Sequence, residues 1–245
     1  MKTSNHLLRR LTAALLAAVL ALSIALPVFA SDDGDTIYIN SVSDLLSLAK
    51  NCAYDQWSVG KTVILQKDLS LEGMLWEPIP SFSGQFKGNG HTISDLTITG
   101  QYSPAGLFGI VEEQGSIESL SVRGIVSVSD SADTTTGGIV GINHGTLINC
   151  QFTGVVTGDS EVGGIVGRNE SEGTIDHSTA RAIVTGKSST GGIAGYNLGA
   201  ITGCTNVGSI NTEYQEASLD TDGFTAKMVD QICLLYTSDA ADDKA

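Results

Sequence analysis

The chain has 245 residues, 41% of them apolar, 6% aromatic and 29 of them glycine, with a formal charge of −14. That apolar share supports a packed core, and glycine at this level without a Gly-X-Y period excludes collagen and points to many tight turns. The first 30 residues hold Lys2, Arg9 and Arg10 and no acid, leaving 10 basic against 27 acidic residues beyond them; such a field repels phosphate backbones and argues against nucleic-acid or anionic-membrane partners.

In chain order, the first element is an address. The three basic residues precede an apolar run from Leu11 to Leu26, Pro27 breaks it, and Val28-Phe29-Ala30 places small residues where a signal peptidase cuts. This pattern predicts a secretory signal peptide cleaved before Ser31. The run falls short of the ~20 residues needed to span a bilayer, and no second long apolar run follows, so the mature chain is expected to have no membrane span. From Ser41 to Asn51, Val42, Leu45, Leu46, Leu48 and Ala49 predict a short amphipathic helix, with Ser41 or Ser43 as cap, Asp44 in its first turn and Lys50 in its last. Strands are expected at Thr62–Leu65, Leu69–Leu71 and around Ile93 and Leu96–Thr99, the last after a turn at Gly88-Asn89-Gly90. A helix ahead of the first coil suits a cap over open strand edges.

Repeats follow. Gly106-Leu107-Phe108-Gly109 returns as Gly-Ile-Val-Gly at 138–141 and 164–167 and as Gly-Ile-Ala-Gly at 192–195, in steps of 32, 26 and 28 residues. Asn143, Asn169 and Asn197 each come two residues after the last three motifs, and each repeat holds two further apolar runs, such as Thr146-Leu147 and Val155-Val156, set off by Gly, Asn, Ser or Thr. Runs this short fit strands, and a unit of this size cannot bury its own apolar side. The prediction is an all-β fold: a parallel β-helix with three short strands per coil of 26–28 residues, the strands of successive coils ~4.8 Å apart. A propeller blade needs ~40 residues or more and is excluded by the repeat length. The expected organisation is a signal peptide at 1–30, an N-terminal cap with first coils at 31–104, repeats at 105–210, the start of a further segment at 211–232, and a tail at 233–245. That tail, Cys233 to Asp243, resembles a translated sequencing adapter, so the natural frame is expected to end near Gln231 or Ile232.

In-register stacking makes further predictions. The Asn column should sit at a corner, where Asn tolerates left-handed backbone and its amide bonds the next Asn. Leu120, Cys150, Ser178 and Cys204 share one inward phase. Cys150 and Cys204 would stand two coils apart, ~9–10 Å, beyond the ~7 Å reach of a disulfide. Leu107, Ile139, Ile165 and Ile193 form one apolar column, and Phe108, Val140, Val166 and Ala194 the next; alternation in a straight strand turns one of them outward as an exposed stripe.

The repeats and the segment Phe82-Ser83-Gly84-Gln85-Phe86-Lys87-Gly88-Asn89-Gly90-His91-Thr92-Ile93 together resemble the GLUG-motif repeat family, over roughly Thr36 to Ile210. The resemblance implies secreted or surface-attached bacterial proteins with a β-helical stalk or adhesive region, some of them with metalloprotease domains. The zinc signature of such domains is absent from this sequence, and no activity is carried over.

The chemical candidates are few. Asp176-His177 is the best acid–imidazole pair, with His144 at a nearby phase of the preceding repeat. The repeat positions matching Asp176 are Glu118, Ile148 and Thr202, and those matching His177 are Ser119, Asn149 and Gly203, so no acidic column builds and a solvated corner is expected. His91 is expected to be a surface residue beside its turn. Asp130 and Asp133 lie in a polar insertion, Ser127–Thr136, and two carboxylates do not make a calcium site. Asn169-Glu170-Ser171 matches a glycosylation sequon that occurs by chance. No catalytic, metal or cofactor-binding residues are assigned. The expected role is a secreted or surface, adhesin-like, non-catalytic repeat region that contacts a host or cell-wall protein or glycan through an exposed strand face. The alternatives are a polysaccharide-active β-helix enzyme, the non-catalytic repeats of a larger secreted metallopeptidase, or a purely structural spacer.

Overall fold

A computed structural model describes residues 35–54, 56–128 and 134–211. The signal peptide, Asp130, Asp133, Cys233 and the tail lie outside them.

The first element, β1 (Thr36–Ile39), leads into α1 (Val42–Asn51). Ser41 caps the helix, its Oγ accepting from the Asp44 N–H at 3.2 Å, while the Asp44 carboxylate reaches back to the Asn40 N–H at 2.9 Å. That backbone bond, with the Ser41 hydroxyl, holds the Asp44 carboxyl below its usual value. Leu45 and Leu48 are buried, and the helix packs against β1 and β4 (Ile79–Phe82).

The strands wind into a solenoid with three main faces, and every pairing is parallel. Face one stacks β1, β2 (Thr62–Leu65), β5 (Gln85–Lys87), β8 (Ser116–Glu118), β12 (Thr146–Ile148), β16 (Thr174–Asp176) and β20 (Ala200–Thr202). Face two stacks β3 (Leu69–Ser70), β6 (Thr92–Gly100), β9 (Ser121–Val128), β13 (Gln151–Thr157), β17 (Thr179–Thr185) and β21 (Thr205–Asn206), and β22 (Ser209–Ile210) also pairs with β17. Face three stacks β4, β7 (Phe108–Val111), β11 (Val140–Asn143), β15 (Val166–Asn169) and β19 (Ala194–Asn197). A narrow fourth face, not expected from the sequence, joins β10 (Thr136–Gly137), β14 (Val162–Gly163) and β18 (Thr190–Gly191).

Register is what the repeat alignment implies: Leu147 lies over Ile117 and under Ile175, which lies under Ile201. Ile117, Leu147 and Ile175 fill the inside, together with a cluster of Phe82, Phe86 and Phe108 whose ring centroids are 5.4–6.3 Å apart. Face two breaks register once, between Ile93 and Leu96, where Asp95 takes φ +60°.

The exposed apolar stripe expected from the Gly-Ile-Val-Gly motif is overturned. The motif is a bend, not a straight strand. β10 ends at Gly137 and β11 starts at Val140, so Ile139 and Val140 are on opposite sides of a corner and both turn inward. Leu107, Phe108, Ile139, Val140, Ile165 and Val166 are all 0% exposed, and Ile193 and Ala194 are partly buried against the same core. Glycine permits the bend: a Cβ on Gly137 would run into the Val140 carbonyl, and one on Gly138 into the Phe152 ring.

Burial declines at the last described coil. Ile175 and Val184 are 0% exposed, whereas Ile201 and Ile210, their partners one coil on, are 38% and 41% exposed.

Candidate binding surface

The Asn column is a ladder. Asn143 donates through Nδ2 to Asn169 Oδ1 at 2.7 Å, and Asn169 donates to Asn197 Oδ1 at 2.8 Å. Each amide also ties down its own turn, donating to the carbonyls of Gly145, Gly173 and Gly199 respectively. Asn143 and Asn169 are buried and Asn197 is exposed. The left-handed backbone expected here falls elsewhere: the three asparagines end strands, and positive φ belongs to the Ser119, Asn149, His177 and Gly203 corner. Asn169 is therefore a buried rung of the ladder, and the sequon it begins is closed to a glycan in the folded chain.

Leu120, Cys150 and Ser178 are buried in one inward column that ends at the half-buried Cys204. Ser178 stands between the cysteines: its Oγ accepts from the Cys150 N–H, and its N–H donates to the Cys204 sulfur. Cys52, Cys150 and Cys204 are free thiols, as the coil spacing requires of the last two. Burial pushes the Cys150 thiol up to about 12 and Cys52 up to about 11, so neither supplies a thiolate near neutral pH.

Asp176 and His177 do meet, with Nδ1 to Oδ1 at 2.8 Å, and the imidazole is largely exposed. In the register, Asp176 lies between Ile148 and Thr202, so the adjacent coils place no second carboxylate beside it. His144 makes its backbone bond to Val111 on the preceding coil, away from this pair. His91 has a partner that sequence reasoning missed: its Nδ1 lies 3.0 Å from Asp68 Oδ1, which also accepts from the Thr92 N–H at 2.9 Å. Those bonds, the backbone one foremost, hold the Asp68 carboxyl below its usual value. Also missed is Arg168, which bonds Glu161 and Glu170 at 2.6 Å each and lies 4.8 Å over the Tyr196 ring. Glu161 comes from the corner before β14, on the far side of a bend from Arg168. Among the described residues no three His, Cys, Asp or Glu side chains cluster as metal ligands, and no helix is long and apolar enough to cross a membrane.

The outward side of face two is the most regular surface. On β9, β13 and β17 the chain alternates, with Val122, Val126, Phe152, Val156, Ala180 and Val184 inward. Outward, Arg123, Thr153 and Arg181 align in one column. Ile125, Val155 and Ile183 align in a second, and Ser127, Thr157 and Thr185 in a third. A fourth, Ser121, Gln151 and Thr179, completes a grid that contains two cations and no acid. The signal was present in the sequence as alternation through Ser121–Val128, Gln151–Thr157 and Thr179–Thr185, but each run is interrupted for the eye by Gly124, Gly154 or Ala182. Gly154 has φ +146°, and a Cβ there would strike the Gly124 carbonyl.

Comparison with known proteins gives three likenesses. Over 155 residues the chain is 32% identical to halomucin of Haloquadratum walsbyi, a span that covers 58% of this chain and 2% of halomucin. Over 137 residues it is 30% identical to a Gly-rich membrane protein of Evansella cellulosilytica, covering 40% of this chain and 16% of that protein. The fold aligns at TM-score 0.44 and 16% identity with a crystal structure named as an immunoglobulin A1 protease of Bacteroides ovatus, over 74% of this chain and 78% of that one. The chain thus spans a small fraction of the length of both sequence relatives. Residues 158–185, from the end of β13 through β17, match the GLUG motif, and the chain is a parallel β-solenoid that carries that motif.

Proposed function

We propose that this chain is a secreted or cell-surface repeat segment whose outward strand faces make adhesive contacts with a protein or glycan, and that it performs no chemistry of its own. One observation carries the reading: the outward chemistry repeats coil after coil on face two, while the groups able to react are dispersed. The buried thiols are held protonated, and Asp176–His177 faces Ile148 and Thr202 rather than a second carboxylate. A flat face built of repeats suits a partner that is itself extended or repetitive. The names of the relatives, a halomucin and a membrane protein, accord with a location at the cell surface.

The test is made on intact bacteria that produce the chain with its own leader. External protease is expected to remove the chain while the cells remain whole; protection until lysis overturns the location. Incubation with a panel of polysaccharides is expected to give no turnover. Turnover that Asp176→Asn abolishes overturns the non-catalytic reading.

A further inference from the structure

We propose that the open end of the winding, formed by β19, β20, β21 and β22, is a dimerisation surface that takes the same end of a second copy. The proposal is independent of the contact role assigned above. Three observations carry it.

First, the end is uncovered and unguarded. β19, β20 and β21 each stand last in their sheets, with no described strand beyond them. Ile201 and Ile210 lie in register with the buried Ile175 and Val184, yet both are exposed, because no described coil lies over them. Leu198 and Val207 are exposed beside them. The polar ladder is open as well. Asn143 and Asn169 each give an amide hydrogen to the next rung, and Asn197 has no described rung to receive its own. Edge strands are ordinarily protected by lysine or proline, and Ser188–Asn211 contains neither.

Second, charge selects the occupant. The chain carries a formal charge of −14, yet Ser188–Asn211 holds no Asp, Glu, Lys, Arg or His. Two such chains repel through their net charge, but contact through this coil sets no like charges face to face. The opposite end of the winding does not complement it. There α1 lies against β1 and β4 with Leu45 and Leu48 buried, and Lys61 pairs with Asp35 at 3.3 Å. A helix cannot extend the open strands, so the contact is tail to tail and closes at two copies.

Third, symmetry and size. Ile201 is the middle residue of β20. A two-fold axis normal to face one at Ile201 sets β20 antiparallel to its copy in an ordinary ladder. It keeps both Ile201 side chains on the inside and brings face two of one copy over face three of the other. The last described coil, Thr190–Ile210, supplies roughly the 20–30 residues per side that a stable interface uses.

The experiment is sedimentation velocity of the full chain as secreted, under reducing conditions, from sub-micromolar to high-micromolar concentration. A monomer–dimer equilibrium is expected. Ile201→Lys, which sets like charges against each other across the two-fold, is expected to weaken it roughly a hundredfold or more. Leu198→Glu, at a corner that is already exposed, is expected to weaken it roughly tenfold and serves where Ile201→Lys does not fold. Ile125→Lys, on the outward side of face two, is expected to leave it unchanged. Excess maleimide, mapped to the Cys204 peptide, is expected to react more slowly in the concentrated sample than in the dilute one. A chain that stays monomeric overturns the proposal; if its Cys204 also resists maleimide, another stretch of the same chain covers the end. Species that grow past the dimer with concentration overturn the two-fold closure. A dimer that Leu198→Glu does not weaken puts the interface elsewhere and overturns the proposal as well.

Discussion

Asn169→Ala is the sharpest probe of the winding. Asn169 is buried and makes three side-chain hydrogen bonds: it accepts from Asn143 at 2.7 Å and donates to Asn197 at 2.8 Å and to the Gly173 carbonyl at 3.2 Å. At about 1 kcal/mol each, their loss is worth about 3 kcal/mol, and the Asn143 amide hydrogen left facing an apolar methyl adds about 1 kcal/mol or more. With a urea slope of ~2 kcal/mol/M, the denaturation midpoint should fall by ~1.5–2 M at unchanged slope. Asn197→Ala removes one rung bond and one bond to Gly199 at an exposed position, where water replaces them, so its shift should be ~0.5 M or less. Asn169→Asp should be worse than Asn169→Ala, because a carboxylate has no hydrogen to offer the Asn197 and Gly173 oxygens. Urea titration followed by circular dichroism checks all three. If Asn169→Ala shifts the midpoint no more than Asn197→Ala does, the amides are not a load-sharing ladder and the reasoning fails.

Four further outcomes are expected. Val166→Lys, which puts an ammonium where the side chain is 0% exposed, should prevent folding altogether, in contrast to the tolerance expected of an exposed stripe; a folded variant by circular dichroism would restore the stripe. Thr136 Oγ1 is buried with no partner among the described residues, and its partner in the next coil is Val162, so Thr136→Val should stabilise the fold by about 1 kcal/mol, read as a higher melting temperature. Cys150, with its thiol pushed up to about 12 by burial, should resist iodoacetamide at pH 8 in the native chain, react fully in denaturant and give no disulfide-linked peptide with Cys204 on mass mapping. Asp68 is held below the usual carboxylate value by the Thr92 N–H and His91. Its contribution to stability is therefore complete above that value and is lost as pH falls through the lower, folded one. Asp68→Asn should flatten the stability profile below about pH 4 and leave it unchanged at pH 7 apart from a constant offset.

Which parts were legible in the sequence follows from the physics of stacking. Once equivalent positions are aligned, register fixes which side chains lie over one another, and so the ladder from Asn143 to Asn197, the absence of a Cys150–Cys204 bridge and the isolation of Asp176 could all be read. What could not be read depends on where the chain bends. The alternation rule assumes an extended strand. At Gly137-Gly138 the backbone turns, and Ile139 and Val140 both reach the core. The paired glycine was the available signal, because two residues without Cβ immediately before an apolar pair mark a corner. The equivalent corner one coil on, at Gly163-Gly164, brings Glu161 back to Arg168, a meeting that no fixed spacing announces. The grid of face two was readable in principle, but its alternation continues through glycines that resemble breaks.

The open winding also has a mechanical meaning. The strands run across the long axis and every coil is held by its neighbours, so tension applied at the two ends of the wound region loads an outermost coil first, bond by bond, rather than all bonds at once. Each coil that peels away releases between 23 and 31 residues, the register steps Val63 to Phe86 and Phe86 to Ile117 being the shortest and longest on face one, ~75–110 Å of extended chain, before the next one feels the full force. A molecule built in this way lengthens in steps and sheds load as it does so, where a rod of the same size would snap.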